Sequence, residues 1–157
     1  MKKIDLSKIS FGATSAITTS LALIVGLSKT ANPKFSIISS LLILAIADNI
    51  SDSLGIHIYR ESQSSKLDYK KMNTFTNFLA RFLLTLFFAT SVFFLPINYA
   101  VAFSVITGII ILSALTYFIA LSQKINPFIS ILKHVSIAVL VMAASFFVSL
   151  FIRNFFS

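Results

Sequence analysis

The stretch Ser40–Arg60 reads SLLILAIADNISDSLGIHIYR and decides the class of fold. It begins as an apolar run suited to a bilayer and then places Asp48, Asn49, Ser51 and Asp52 inside that run. Ionisable residues at membrane depth are costly and usually mark an ion or substrate path. The sequence therefore predicts a membrane-embedded helix that carries a polar site.

Asp48 and Asp52 are four residues apart, so on a helix they share one face with Cβ atoms roughly 5–6 Å apart. Two carboxylates that close repel each other, and a bound cation removes the conflict. A second stripe, Ala47, Ser51 and Gly55, has the same spacing and favours close approach of another helix. One helix thus offers a carboxylate face beside a packing face.

The composition indicates an all-α integral membrane protein. Of the 157 residues, 57% are hydrophobic and 11% are charged, and the mean hydropathy is +0.92. Soluble domains are roughly 45–50% apolar and about 25% charged. Long apolar runs without alternation favour helices over the strands of a β-barrel.

Five apolar segments approach the ~20 residues needed to cross a bilayer. They are predicted at residues 9–27, 36–58, 75–95, 99–121 and 128–152, within one transmembrane domain, 1–157. The first segment is rich in hydroxyl groups and is predicted to face protein or a pore more than lipid. It also carries a small-residue stripe at Gly12, Ala16 and Ser20. The polar loop between the second and third segments, 59–73, is too short for a domain.

The distribution of cations predicts a cytoplasmic N-terminus and an outer C-terminus. In that orientation ten of the 13 Lys and Arg residues, Arg81 included, fall on the inner side, and Lys29, Lys34 and Arg153 fall outside. The net charge of +8 is then a topology signal and not a sign of nucleic-acid binding. The expected surroundings are membrane lipids, with the cations of the loop 59–73 near anionic headgroups.

Two segments resemble the vacuolar iron transporter family. The resemblance is carried by Phe11, Gly12, Ile17, Thr18, Thr19 and Gly26 in the first segment and by Ala47, Asp48, Ser51, Gly55 and Tyr59 in the second. It covers about the first 60 residues, and the five-segment layout agrees with the five helices of that family. The resemblance is to a short member of the family, one without the acidic cytoplasmic insert.

The resemblance implies a homodimer whose first two helices line a metal path, with the first helix at or near the two-fold axis. It implies export of cytosolic Fe²⁺ or Mn²⁺, usually in exchange for protons. The expected membrane is the plasma membrane in a prokaryote and a vacuolar or organellar membrane otherwise. The transported metal is the only ion expected, with no permanently bound cofactor.

Two positions differ from the family pattern. The family's aspartate in the first helix is Ser15 here, and its methionine in the second helix is Asp52. Because these residues are expected at similar depth, the carboxylate could have moved between helices. Oxygen ligands suit Mn²⁺, Mg²⁺ and Fe²⁺. The candidate metal path comprises Asp48, Asp52, Ser15, Thr19, Ser51 and Asn49, with His57 and Glu61 as additional candidates.

Two alternatives accompany the transporter hypothesis. Asp52 could pair with Arg81, which would neutralise both charges without any ion. The chain could also be a degenerate relative that transports nothing and serves as a membrane scaffold or partner subunit, and Ser15 favours that hypothesis. An enzyme is not expected, because the sequence has no nucleophile elbow, zinc-protease motif, P-loop or cysteine.

Overall fold

A computed structural model describes residues 7–52, 54–55, 58 and 68–156, and every regular element among them is helical. The elements are α1 (Ser7–Leu27), α2 (Pro33–Ile43), a π-helical segment (Leu44–Asp48), α3 (Asp68–Phe94), α4 (Ile97–Ser122) and α5 (Pro127–Phe156). The helix of α2 continues through the π segment to Asp52.

Local sequence signals explain where these helices begin. Pro33 and Pro127 occupy the first turns of α2 and α5, where a missing backbone N–H costs nothing. Asn126 precedes α5, and its side-chain Oδ1 accepts the N–H groups of Phe128 at 3.0 Å and Ile129 at 3.4 Å. This side chain satisfies two of the donors that every helix start leaves unpaired.

Within the described residues, four helical segments are long and apolar enough to cross a membrane. They are Pro33–Asp52, Phe75–Phe94, Ile97–Ser122 and Pro127–Phe155. The helix α1 adds a shorter apolar stretch, Gly12–Leu27. The fold is thus all-α, and its helices have the length and composition of membrane spans.

Each helix starts before the apolar segment predicted for it, and the difference is largest for α3. The helix α3 begins at Asp68, so the last residues of the predicted loop 59–73 are helical. Hydropathy marks the part of a helix that suits hydrocarbon, and the helix continues past that part into the polar segment. The second helix begins at Pro33, three residues before its predicted apolar segment, in agreement with proline's preference for the first turn.

The helix α1 lies at the centre of the bundle. It packs against all four other helices, most extensively against α3 and α5. No side chain from 12 to 27 is exposed, and Ala16, Ile17 and Leu21 are almost completely buried. The first helix therefore faces protein at Ser20, whereas the hydroxyl residues Ser15, Thr18 and Thr19 are half-buried, and a pore beside them stays a prediction.

The expectation that the first helix lies at a two-fold axis stays a prediction. Several residues of α1, among them Ser15, Thr18 and Thr19, are half-buried within the protomer. The stripe Ala47, Ser51 and Gly55 on the second helix is exposed. The buried side of α2 is instead formed by Ile37 and Leu41.

Small and hydroxyl side chains let α4 approach its neighbours closely. Its buried side repeats every four residues: Ala100, Ser104, Gly108, Leu112, Thr116 and Ala120. Polar pairs also link the helices, between the hydroxyls of Ser104 and Ser91 at 3.4 Å and between Thr116 Oγ1 and His134 Nδ1 at 3.0 Å. Helices in membranes associate through such small residues and polar contacts, because burial of apolar surface gives no advantage over lipid.

Candidate functional site: a buried arginine between two aspartates

The site is built on the π segment of the second helix. Leu44–Asp48 forms the π turn, which places Asp48 at its last residue and buried Asn49 directly after it. The Asn49 Nδ2 donates to the backbone carbonyl of Ala45 at 2.8 Å, which ties the side chain to its own helix. Single π turns inside α-helices occur frequently at functional sites.

Arg81 on α3 reaches across to the second helix and contacts three of its side chains. The Nη2 of Arg81 lies 2.6 Å from Asp48 Oδ2, and its Nε donates to Asn49 Oδ1 at 2.8 Å. Its Nη1 lies 2.5 Å from Asp52 Oδ2, although this contact lacks the alignment of a hydrogen bond. The side chain of Arg81 is only 1% exposed, so this cation depends on these partners for its stability in the bundle.

The helix α1 also reaches the site, through a hydrogen bond between its Gly12 and Asn77 of α3. The Oδ1 of Asn77 accepts the backbone N–H of Gly12 at 2.8 Å. A Cβ atom added at Gly12 would lie 2.8 Å from Arg81 Cγ and would also collide with Asn77. Glycine at this position therefore allows α1 to approach Arg81 and Asn77 on α3.

Charge and exposure differ sharply across the cluster. Two carboxylates face one guanidinium, so the three ionised groups carry a net charge of −1. The side chains of Asp48 and Asp52 remain 40% and 36% exposed, whereas Arg81 is buried. Both ion pairs use the Oδ2 atoms, which leaves Oδ1 of each aspartate without a partner in the described part of the chain.

The structure brings together four of the residues singled out in the sequence: Asp48, Asn49, Asp52 and Arg81. The ion pair of Asp52 with Arg81, the alternative that needs no ion, is present and extends to Asp48. Arg81 thus holds the position between the carboxylates that the sequence analysis gave to a bound cation.

Other candidates lie apart from the cluster. The Thr19 hydroxyl donates to the carbonyl of Ser15 at 2.8 Å, and neither residue is hydrogen-bonded to the aspartates within the described chain. Ser51 is exposed on the second helix. His57 and Glu61 lie outside the described residues. Among those described, no group of three His, Cys, Asp or Glu side chains could hold a metal ion.

Asn77 is the residue that sequence reasoning missed. It lies four residues before Arg81 on a helix otherwise rich in phenylalanine, which is the spacing that places two side chains on one helical face. It is 1% exposed, and its Nδ2 has no hydrogen-bond partner in the described chain. An amide one turn from an arginine inside an apolar segment was the available signal.

The fold and the site together define an all-α protein with helices able to span a membrane. Its charged cluster lies where α1, the second helix and α3 meet. No family model, curated protein or solved structure matches the chain.

Substitution of both aspartates should destabilise the protein more than the sum of the single changes. Asp48→Asn or Asp52→Asn alone leaves Arg81 with one carboxylate. The double variant leaves a buried cation without an anionic partner, which costs about 3–5 kcal/mol in comparable sites. Thermal unfolding in detergent measures all three variants.

Adding Arg81→Met to that double variant provides the control. It removes the orphaned charge and keeps a long apolar side chain, so the triple variant should regain much of the lost stability. A triple variant no more stable than the double one would contradict the assignment of Arg81 as the buried cation that the two aspartates neutralise.

Proposed function

We propose that the protein is a membrane transporter that exports a divalent cation, Fe²⁺ or Mn²⁺, from the cytosol. The observation that carries the proposal is the pair of half-exposed carboxylates on the second helix, one at the last residue of its π-helical segment and one a turn later, each with one uncommitted oxygen. The resemblance of the first two helices to the vacuolar iron transporter family supports it. The chain then has five spans, α1 included, with the N-terminus in the cytoplasm.

Arg81 acts in this proposal as the internal counter-charge of the empty site. A cation approaching from the exposed side would meet the free Oδ1 atoms of Asp48 and Asp52 and would compete with the guanidinium for both side chains. Carboxylate oxygens are hard ligands that suit Mn²⁺ and Fe²⁺. When the cation leaves, Arg81 pairs again with both aspartates, so the carboxylates are not left to repel each other.

Charge arithmetic supports a homodimer. One cluster carries −1, so two clusters related by a two-fold axis carry −2 and balance one dication. A single protomer offers too few described ligands for a desolvated metal ion. Carboxylates that are more than a third exposed would also be costly against hydrocarbon, and a second copy would cover them.

The second helix offers the interface in this proposal. Ala47, Ser51 and Gly55 are exposed, and small residues allow a helix of the second copy to approach closely. In that arrangement the carboxylates of both copies would lie beside the axis. Ser51 would supply a hydroxyl, and Asp52 would carry the charge that the family pattern places at Ser15.

Proton exchange and orientation complete the proposal. Protonation of one carboxylate in each of the two clusters, two protons in all, would let the empty dimer site return without net transfer of negative charge. Arg81 is buried in an ion pair and so drops out of the topology count, but nine inner cations against three still favour a cytoplasmic N-terminus. The membrane is the plasma membrane in a prokaryote and an organellar membrane otherwise.

A second candidate function is a membrane scaffold or partner subunit that transports nothing. The contacts of Arg81 with Asp48, Asn49 and Asp52 favour it, because they account for both carboxylates without any ion. The two functions differ in whether the wild-type protein moves metal and, if it does, whether removal of one aspartate charge slows that movement.

Transport should require both aspartates. Purified protein in proteoliposomes should accumulate Mn²⁺, and Asp48→Asn or Asp52→Asn should lower the rate at least tenfold, because each removes one charged ligand while Arg81 keeps a carboxylate partner. Lys133→Gln, a change at an exposed cation outside the site, serves as the control and should keep the wild-type rate.

Normal Mn²⁺ uptake by Asp52→Asn would end the idea that this residue carries the ion. Absence of both Fe²⁺ and Mn²⁺ uptake by a folded wild-type protein would favour the scaffold function.

Cysteine cross-linking should locate the interface on the second helix. The chain has no cysteine, so each variant carries a single thiol. Ala47→Cys or Ser51→Cys should form disulfide-linked dimers in membranes, whereas Ala16→Cys should not, because Ala16 is 1% exposed inside its own protomer. Efficient dimers through position 16 with none through 47 or 51 would instead place the first helix at the axis.

A further inference from the structure

A groove lies between α1 and α5 at the end of the bundle away from Arg81. Its volume is about 690 Å³, within the range of small-molecule sites. The two helices meet at its floor, where a Cβ atom added at Gly26 would lie 3.1 Å from Ser145 Cβ. Small side chains at Ala22 and Ala144 keep the groove open along both helices.

Two cations line the same groove. Lys29 follows α1, Arg153 lies near the end of α5, and both are exposed. The acidic side chains that the structure describes are Asp48 and Asp52 in the Arg81 cluster. Gly12, which contacts that cluster, and Gly26, at the groove, are separated by roughly 20 Å of helix. Neither cation of the groove has a carboxylate partner in the described chain.

The wall of the groove is apolar and continuous with the outer surface of α5. Val148 and Ile152 line it and are 58% and 50% exposed. Pro127–Phe155 is one of the segments suited to crossing a membrane, so this surface would face acyl chains. A ligand that fits both features has one anionic group and a long apolar part.

We propose that the groove binds an anionic phospholipid, with its phosphate between Lys29 and Arg153 and an acyl chain along Ala144 and Val148. Unpaired cations at a membrane surface attract anionic headgroups, and each contributes roughly fivefold in affinity. The small residues at the floor leave space for the chain below the headgroup. This lipid site is independent of the proposed transport.

The absence of tryptophan from the chain provides a direct test. Ile152→Trp places a single fluorophore at the rim of the groove. Ile106→Trp, at a position 61% exposed on α4, reports on the general lipid surface. Each variant is reconstituted in phosphatidylcholine with increasing brominated phosphatidylglycerol or brominated phosphatidylcholine, whose bromine quenches tryptophan fluorescence.

Quenching at position 152 should show a preference for phosphatidylglycerol of roughly tenfold or more, and quenching at position 106 should show little preference. Adding Lys29→Gln with Arg153→Gln should abolish the preference. Lys34→Gln, which changes an exposed cation outside the groove, should preserve it. Excess inorganic phosphate should not displace the lipid, because it lacks the apolar part.

Four results would overturn the proposal. One is equal preference at positions 152 and 106, and another is a preference that survives loss of both cations. The third is weak quenching by every lipid at position 152, which would indicate that a helix of a second copy fills the groove. Removal of the preference by inorganic phosphate would assign the cations to a free anion instead.

Discussion

The fold depends on one buried cation. Arg81 lies on a helix suited to hydrocarbon and is almost inaccessible, and an isolated charge in such surroundings is costly. Its three nitrogen atoms face three side chains of the second helix, so α3 and the second helix are held in one register. Asp48 is the last residue of the π segment, Asn49 follows it directly, and Asp52 lies one turn later.

The central position of α1 follows from a different constraint, which is the size of its side chains. Gly12 lets α1 approach Arg81 and Asn77 at one end, and Gly26 lets it approach Ser145 at the other. At one end of the bundle, ion pairs and hydrogen bonds around Arg81 hold the helices together. At the other end lies the groove with the cations Lys29 and Arg153. Because lipid removes the usual advantage of apolar burial, close packing and polar contacts must supply the specificity.

Sequence reasoning recovered the helices and the paired aspartates, because both are local patterns of hydropathy and four-residue spacing. It could not choose between a cation and Arg81 as their partner, since that depends on how α3 packs on the second helix. The π turn carries no local signature, and the four-residue spacing of Asn77 and Arg81 does not by itself show that both side chains are buried. The exposed stripe Ala47, Ser51 and Gly55 shows the same limit. Small residues indicate that another helix can approach closely, but they do not show which helix does so.

In the proposed transport cycle, the guanidinium of Arg81 pairs with both aspartates when no metal is bound and releases them when metal binds. Solid-state NMR in bilayers can measure dipolar coupling between ¹⁵N-labelled arginine and ¹³C-labelled aspartate side chains, with Asp48→Asn and Asp52→Asn to assign the signals. We expect short Arg–Asp distances to both aspartates in metal-free protein and weaker coupling when Mg²⁺ is added as a diamagnetic substitute. Metal-free protein without either coupling would contradict this expectation.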